Sequence, residues 1–274
     1  MMRSQIWMWM TALAILAGAW AFSAYRSQAV AVPPRDSEAL VRHALDLVTN
    51  DQVLLNRDTQ QAIRAVSVLV EEAAVQSAEG VFLLGLQYKR ERNIEGAEAE
   101  FRRAIEMKPD WSWPYHGLGY LLGQYTHGRI DEAIDMLKLA IARDPEWGRP
   151  HNSLAVLYRV QGRFEEAEVE AELALKLEPE DFASLNNYAN LLKAQQRFEE
   201  AEIYYHMAIA NMPDHPKPHY NLACLYSQLG NADAALKELQ EAFNRADVLR
   251  LEAATDPDLD PLRGNARFEA MLRP

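Results

Sequence analysis

The sequence predicts an all-α fold, a solenoid of repeated helical hairpins, and three observations carry that expectation. Alanines recur at Ala97, Ala133, Ala167, Ala201 and Ala235, spaced by 36, 34, 34 and 34 residues. A second alanine stands seven residues after each, at Ala104, Ala140, Ala174, Ala208 and Ala242. Pro109, Pro145, Pro179 and Pro213 follow five residues later, with Asp247 where a fifth proline would fall. No run of alternating polarity argues for strands, and no seven-residue period persists as a coiled coil requires.

Each mark has a physical meaning. Two alanines seven apart share one helix face, and side chains that small let a second helix pack closely. Proline lacks an amide donor and clashes with the preceding turn, so it marks the end of each hairpin's second helix. Gly162 and Gly230 mark the bend between the helices, at the place Gln196 takes in the intervening unit. Five units are therefore expected, at 78–111, 112–147, 148–181, 182–215 and 216–249. The second has two extra residues between Gly123 and Gly128 that lengthen its turn. Residues 36–77 read as a helical cap or decayed unit, with Ala62, Val66 and Leu69 on its second helix. Residues 250–274 read as a capping segment, because the last unit of a solenoid exposes an apolar face.

The residues around these marks complete a pattern. The first unit carries Val81, Leu84-Gly85, Tyr88, Ala97, Phe101, Ala104 and Pro109. The second has Leu118-Gly119, Ala133, Leu137 and Pro145, and the third Leu154-Ala155, Tyr158, Gly162, Ala167 and Ala174. The fourth has Leu185, Tyr188-Ala189, Ala201, Tyr205 and Ala208, and the fifth Leu222-Ala223, Tyr226, Gly230, Ala235 and Leu239. This pattern resembles the tetratricopeptide repeat family. Asp256 to Arg263, followed by Arg267-Phe268, looks like the segment that often closes arrays of that family. The resemblance implies a right-handed α-α superhelical solenoid whose first helices line a concave, peptide-binding groove.

Composition narrows the partners. Of 274 residues, 49% are hydrophobic and 25% charged, which suits a folded chain. Acidic residues outnumber basic ones, 40 to 28, for a formal charge of -12, so a nucleic-acid partner is not expected. Cys224 is the single cysteine and cannot form an internal disulfide. At the N-terminus, Ile6 to Ala24 is apolar except at Thr11, Gly18 and Ser23. As a helix it would be about 28 Å long, near the thickness of a bilayer core, with Trp7, Trp9 and Trp20 at headgroup depth. Residues 1–25 are thus expected to be a transmembrane anchor, followed by an extended linker at 26–35 that contains Pro33-Pro34. A short N-terminus ahead of a first apolar segment favours a repeat domain in the periplasm or otherwise outside the cytoplasm. The alternative is a secreted protein whose signal peptide is cleaved after Ala29-Val30-Ala31.

No residue set points to catalysis. Gly117-Leu118-Gly119 with Gly123 lacks the spacing and the strand of a dinucleotide loop and reads as the small positions of a packed helix. His215 and His219 are separated by two prolines and accompanied by no acidic or cysteine ligand. Glu165-Glu166 and Glu199-Glu200 recur at the start of a second helix, where negative charge suits the helix dipole. The expectation is a protein that is not an enzyme, with no catalytic residue, cofactor or metal.

The expected site is the concave groove. The resemblance places 25 positions on it, the second, fifth, ninth, twelfth and thirteenth of each unit. Six are basic, Lys89, Arg90, Arg149, Arg159, Lys193 and Lys217, and only Glu79 is acidic. A basic groove in an acidic molecule should attract an acidic segment or a free C-terminal carboxylate. Asn152, Asn186 and Asn190 could grip a peptide backbone, and His116, Tyr120 and Tyr220 offer stacking contact. Lys89, Arg90, His116, Tyr120, Asn152, Arg159, Asn186, Asn190, Lys193, Lys217 and Tyr220 are therefore the candidate peptide-binding residues. The expected function is a scaffold at a membrane surface that binds a client's peptide segment and assists complex assembly. Two other classes fit the same sequence: a repeat protein that assembles into a homo-oligomer, and the regulatory subunit of an enzyme encoded elsewhere.

Overall fold

The computed structural model describes residues 40–41, 44–45, 57–71, 76–126 and 128–273. The apolar run at 6–24 and the linker at 26–35 lie outside the described residues. Among the described residues there is no strand, and no helix is long and apolar enough to cross a membrane. The chain forms two compact units, Met1–Leu121 and Leu122–Pro274.

The first unit contains α1 (Arg57–Glu71), α2 (Ala78–Arg90), α3 (Ile94–Met107) and most of α4 (Ser112–Tyr125). Ala62 and Val66 of α1 are buried, and α1 packs on α2, which forms a hairpin with α3. Ser77 and Asn93 cap α2 and α3 by accepting from the amides of Gly80 and Gly96, each two positions into the helix. Gly85 is required by packing, since a Cβ there would lie 2.7 Å from the buried Phe101 ring.

The second unit repeats the hairpin. It contains α5 (Ile130–Arg143), then the pairs α6 (Gly148–Val160) with α7 (Phe164–Leu177), α8 (Phe182–Ala194) with α9 (Phe198–Asn211), and α10 (Pro216–Gln228) with α11 (Ala232–Arg245). Consecutive hairpins pack second helix to next first helix, and the first helices α6, α8 and α10 also touch in sequence. A C-terminal segment follows: α12 (Leu249–Ala253), a 3-10 helix at Pro257–Leu262, and α13 (Ala266–Met271). Its Leu249, Ala253, Leu259, Leu262 and Phe268 are buried in one cluster with Leu236, Leu239 and Phe243 of α11 and Tyr220 and Cys224 of α10.

The alanine register explains how the helices come this close. All ten of the recurring alanines, from Ala97 to Ala242, are 0% exposed. The turns are equally regular. The backbone is left-handed at Arg92 (φ 59), Gly128 (φ 85), Gly162 (φ 74), Gln196 (φ 62) and Gly230 (φ 73), once per hairpin. Asn93, Arg163, Arg197 and Asn231 each donate their amide back to the carbonyl five residues earlier, closing the first helix of four hairpins in a Schellman motif. Every second helix ends two residues before its proline, or before Asp247 in the last.

Two polar pairs built on buried histidines recur at one repeat position. His151 Nδ1 lies 2.7 Å from Glu170 Oε2, and His219 Nδ1 lies 2.8 Å from Glu238 Oε2, two hairpins later. Leu185 and Tyr204 stand at the equivalent places between them. His215, in contrast, caps α10 and packs at a tilt against Phe182, ring centres 4.6 Å apart, while His219 pairs with Glu238.

The packing makes a direct prediction. Ala201→Arg forces a long charged side chain into a contact sized for a methyl group and should lower unfolding free energy by about 3 kcal/mol or more. Urea denaturation followed by circular dichroism measures it, and an unchanged midpoint would refute the assigned contact.

Candidate functional site

The candidate residues fall in two groups. In the first unit, Lys89 sits at the end of α2 with its Nζ 4.9 Å from the centre of the Tyr120 ring, a cation–π distance. It forms no ion pair among the described residues, and burial pulls its pKa down to about 8. The His116 ring lies 6.4 Å from that of Tyr120. Arg90 is exposed and donates to Gln60 Oε1 at 2.9 Å.

In the second unit the first helices bring Arg159, Asn190 and Lys193 to one cleft of about 600 Å³. Their spacing follows from the repeat: Arg159 and Lys193 are the same position of α6 and α8, and Asn190 stands one turn before Lys193. Ala194 lines the cleft from the end of α8, Gln196 from the turn that follows, Phe198 from the start of α9, Gln228 from the end of α10, and Asp258 from the C-terminal segment. The cleft is therefore mostly polar, with the half-buried Phe198 as its one aromatic wall.

The two cations in the cleft differ. Lys193 Nζ pairs with Asp258 Oδ2 at 2.6 Å, and Gln228 donates to the other Asp258 oxygen at 2.7 Å. Arg159 makes no ion pair among the described residues. Its Nε is buried and hydrogen-bonded to no protein atom, and burial lowers the guanidinium's pKa from its ordinary value. The positive charge closest to being unanswered in this cleft is that of Arg159.

Asn152, Asn186, Lys217 and Tyr220 do not line the cleft, and Asn190 lines it while holding a neighbour. Asn152 accepts from Asn187 at 3.0 Å and Asn186 accepts from Asn221 at 2.9 Å, so these amides tie each first helix to the next. Asn190 accepts from the buried Tyr205 hydroxyl at 2.7 Å. Lys217 is clasped by both carboxylate oxygens of Glu252 at 2.8 Å, and Tyr220 is buried, donating to Asp256 Oδ2 at 2.8 Å. Sequence reasoning missed the carboxylates of Glu252, Asp256 and Asp258, which the C-terminal segment brings onto the first-helix face. The signal was present in the alternating acids Asp256, Asp258 and Asp260. Reading that stretch only as a cap gave its side chains no direction.

Cys224 Sγ and carboxylate oxygens of Asp256 and Asp258 lie within 4.8 Å of one another. Those oxygens already accept from Tyr220, Lys193 and Gln228, and burial pushes the Cys224 thiol far above its ordinary pKa. The cluster is a hydrogen-bonded junction between α10 and the C-terminal segment.

Three family models, each described as tetratricopeptide repeat, match residues 78–110, 122–176 and 180–247, together more than half of the chain. The chain carries tetratricopeptide repeats at these three places. Such repeats generally mediate protein–protein interactions and complex assembly, and scaffolds built from them are generally non-enzymatic. Among solved structures, the chain is similar to a thermophilic tetratricopeptide repeat protein of Thermus thermophilus, with TM-score 0.58 and 21% identity over 72% of this chain and 99% of that one. It is similar to PilW, a widely conserved type IV pilus biogenesis factor, with TM-score 0.59 and 21% identity over 71% of this chain and 90% of that one. It also resembles the APC/C hetero-tetramer Cut9–Hcn1, with TM-score 0.62 and 16% identity over 85% of this chain and 51% of that one. At these identities the likeness is one of fold. A search of curated proteins finds no match.

Lys89 gives a pH prediction. Its folded pKa lies below the ordinary value of 10.5, so the unfolded chain holds the extra proton between about pH 8 and 10.5, and stability from this group rises with pH across that window. Lys89→Met should therefore stabilise the fold at pH 7, with an advantage that shrinks as pH passes 8. Melting temperatures of both proteins from pH 6 to 10 decide it, and a constant difference would refute the burial of the charge.

Proposed function

We propose that this protein is an interaction scaffold that holds a carboxylate-bearing peptide segment of a client protein against its first helices, with Arg159 as the anchoring cation. The supporting observation is the unanswered guanidinium in a polar cleft. A partly buried charge without a partner is costly, and an arriving carboxylate would return a charge-assisted hydrogen bond. Asn190 lines the same cleft and can accept or donate at the peptide backbone. Lys217 and Tyr220 act through the C-terminal segment they hold. In the first unit, Lys89, Arg90, His116 and Tyr120 are the proposed contacts.

Fluorescence anisotropy with two labelled pentapeptides tests this reading, Gly-Gly-Ala-Ala-Phe with a free carboxylate and the same peptide as its amide. The acid should bind more tightly than the amide, more weakly as salt rises, and Arg159→Glu should weaken it at least about tenfold. Glu180→Lys with Asp214→Lys, two exposed acids in turns, should leave binding near native. Equal binding of acid and amide would end the proposal.

The apolar run from Ile6 to Ala24 supports a second element, that the repeats work at a membrane surface outside the cytoplasm. The full chain should stay with membranes through an alkaline wash. A mature chain that begins near Val32 and appears in the soluble fraction would show a cleaved signal instead.

A further inference from the structure

Building on the carboxylate-binding reading, we propose that Asp258 sets the charge class of the client segment: the cleft takes a single carboxylate beside an apolar side chain, and disfavours a dianion. Two cations face the cleft, but one is already matched. Lys193 Nζ and Asp258 Oδ2 are 2.6 Å apart, with side chains only 16% and 33% exposed. Asp258 Oδ1 is taken by Gln228, and the Asp258 amide donates to Asp256 Oδ1 at 2.9 Å. The next residue, Leu259, is 0% exposed, and Leu262 is 2% exposed. Asp258 is thus a fixed part of the wall, held by an apolar anchor and three hydrogen-bonding partners.

The cleft therefore presents one net positive charge, on Arg159. One carboxylate neutralises it. A second carboxylate on the same segment would meet Asp258 as a like charge at the only other cation, and a phosphate dianion would meet the same obstacle. Phe198 and Ala194 supply the apolar wall for a neighbouring side chain. The C-terminal segment repeats the device one hairpin later, where Glu252 cancels Lys217.

The experiment adds a third labelled peptide, Gly-Gly-Ala-Asp-Phe with a free carboxylate, and uses the full chain in its native, Asp258→Asn and Lys193→Gln forms. For the native protein, the dicarboxylate peptide should bind no tighter than the monocarboxylate one. Asp258→Asn leaves two free cations, and the dicarboxylate should gain at least about tenfold over the monocarboxylate. Lys193→Gln leaves Arg159 facing an unpaired Asp258, and the monocarboxylate should weaken about tenfold. Circular dichroism checks that each variant is folded, and if Asp258→Asn is not, the Lys193→Gln arm decides alone. A native preference for acid over amide, combined with variants that shift neither ratio, overturns the role of Asp258 and leaves the carboxylate site standing. No preference for acid over amide in the native protein overturns both.

Discussion

Four hairpins, α2–α3, α6–α7, α8–α9 and α10–α11, depend on two alanines seven residues apart that let their helices meet without an intervening side chain. That contact has no slack, because a methyl group is the smallest side chain that still excludes water from the seam. All ten such alanines are fully buried. Once the seam is fixed, the turn must bring the second helix back within one residue of left-handed backbone, and each hairpin has one. Three of the five turns use glycine, the residue for which that conformation carries no side-chain clash. Arg92 and Gln196 adopt it with a side chain, which shows that the seam and the Schellman bonds outweigh a local cost on the order of 1–2 kcal/mol.

This constraint is why the fold was legible in the sequence and the site only partly so. The alanines, prolines and glycines are imposed by backbone geometry, so they repeat and can be aligned without any structure. Arg92 escaped notice as a turn residue, because an arginine gives no sign of a left-handed backbone. The cleft drew on the same periodicity: Arg159 and Lys193 were picked out as one repeat position, and the structure brings them with Asn190 to one place. What periodicity could not supply was the direction of Glu252, Asp256 and Asp258. They occur once, outside the repeat, and their partners lie 65 residues away for Lys193 and 35 for Lys217.

Two of the predicted residues also serve the packing, for a related reason. Asn152 and Asn186 are spent joining successive first helices, and each accepts from an asparagine 35 residues later. A side chain one position removed from the repeat period can bridge units, and a polar residue on such a bridge stiffens the face it lies on. The His151–Glu170 and His219–Glu238 pairs do the equivalent inside a hairpin, where a buried imidazole needs a partner and the carboxylate supplies one. The repeat thus varies its interior between apolar and paired polar contents while the alanine seam stays constant.

The C-terminal segment joins these themes. Leu259, Leu262 and Phe268 cover apolar surface on α10 and α11 that would otherwise face water. A cover held that firmly fixes the side chains between its anchors, and here those side chains are acids set against lysines of α8 and α10. Covering the last hairpin and setting the charge of the first-helix face are therefore one structural act. A change in the apolar anchors would alter the electrostatics of a cleft they do not touch. Counting charges on the first helices alone overstates how basic that face is, because Lys193 and Lys217 are answered by Asp258 and Glu252 from within the chain, while Arg159, which lines the same cleft as Asp258, forms no ion pair among the described residues.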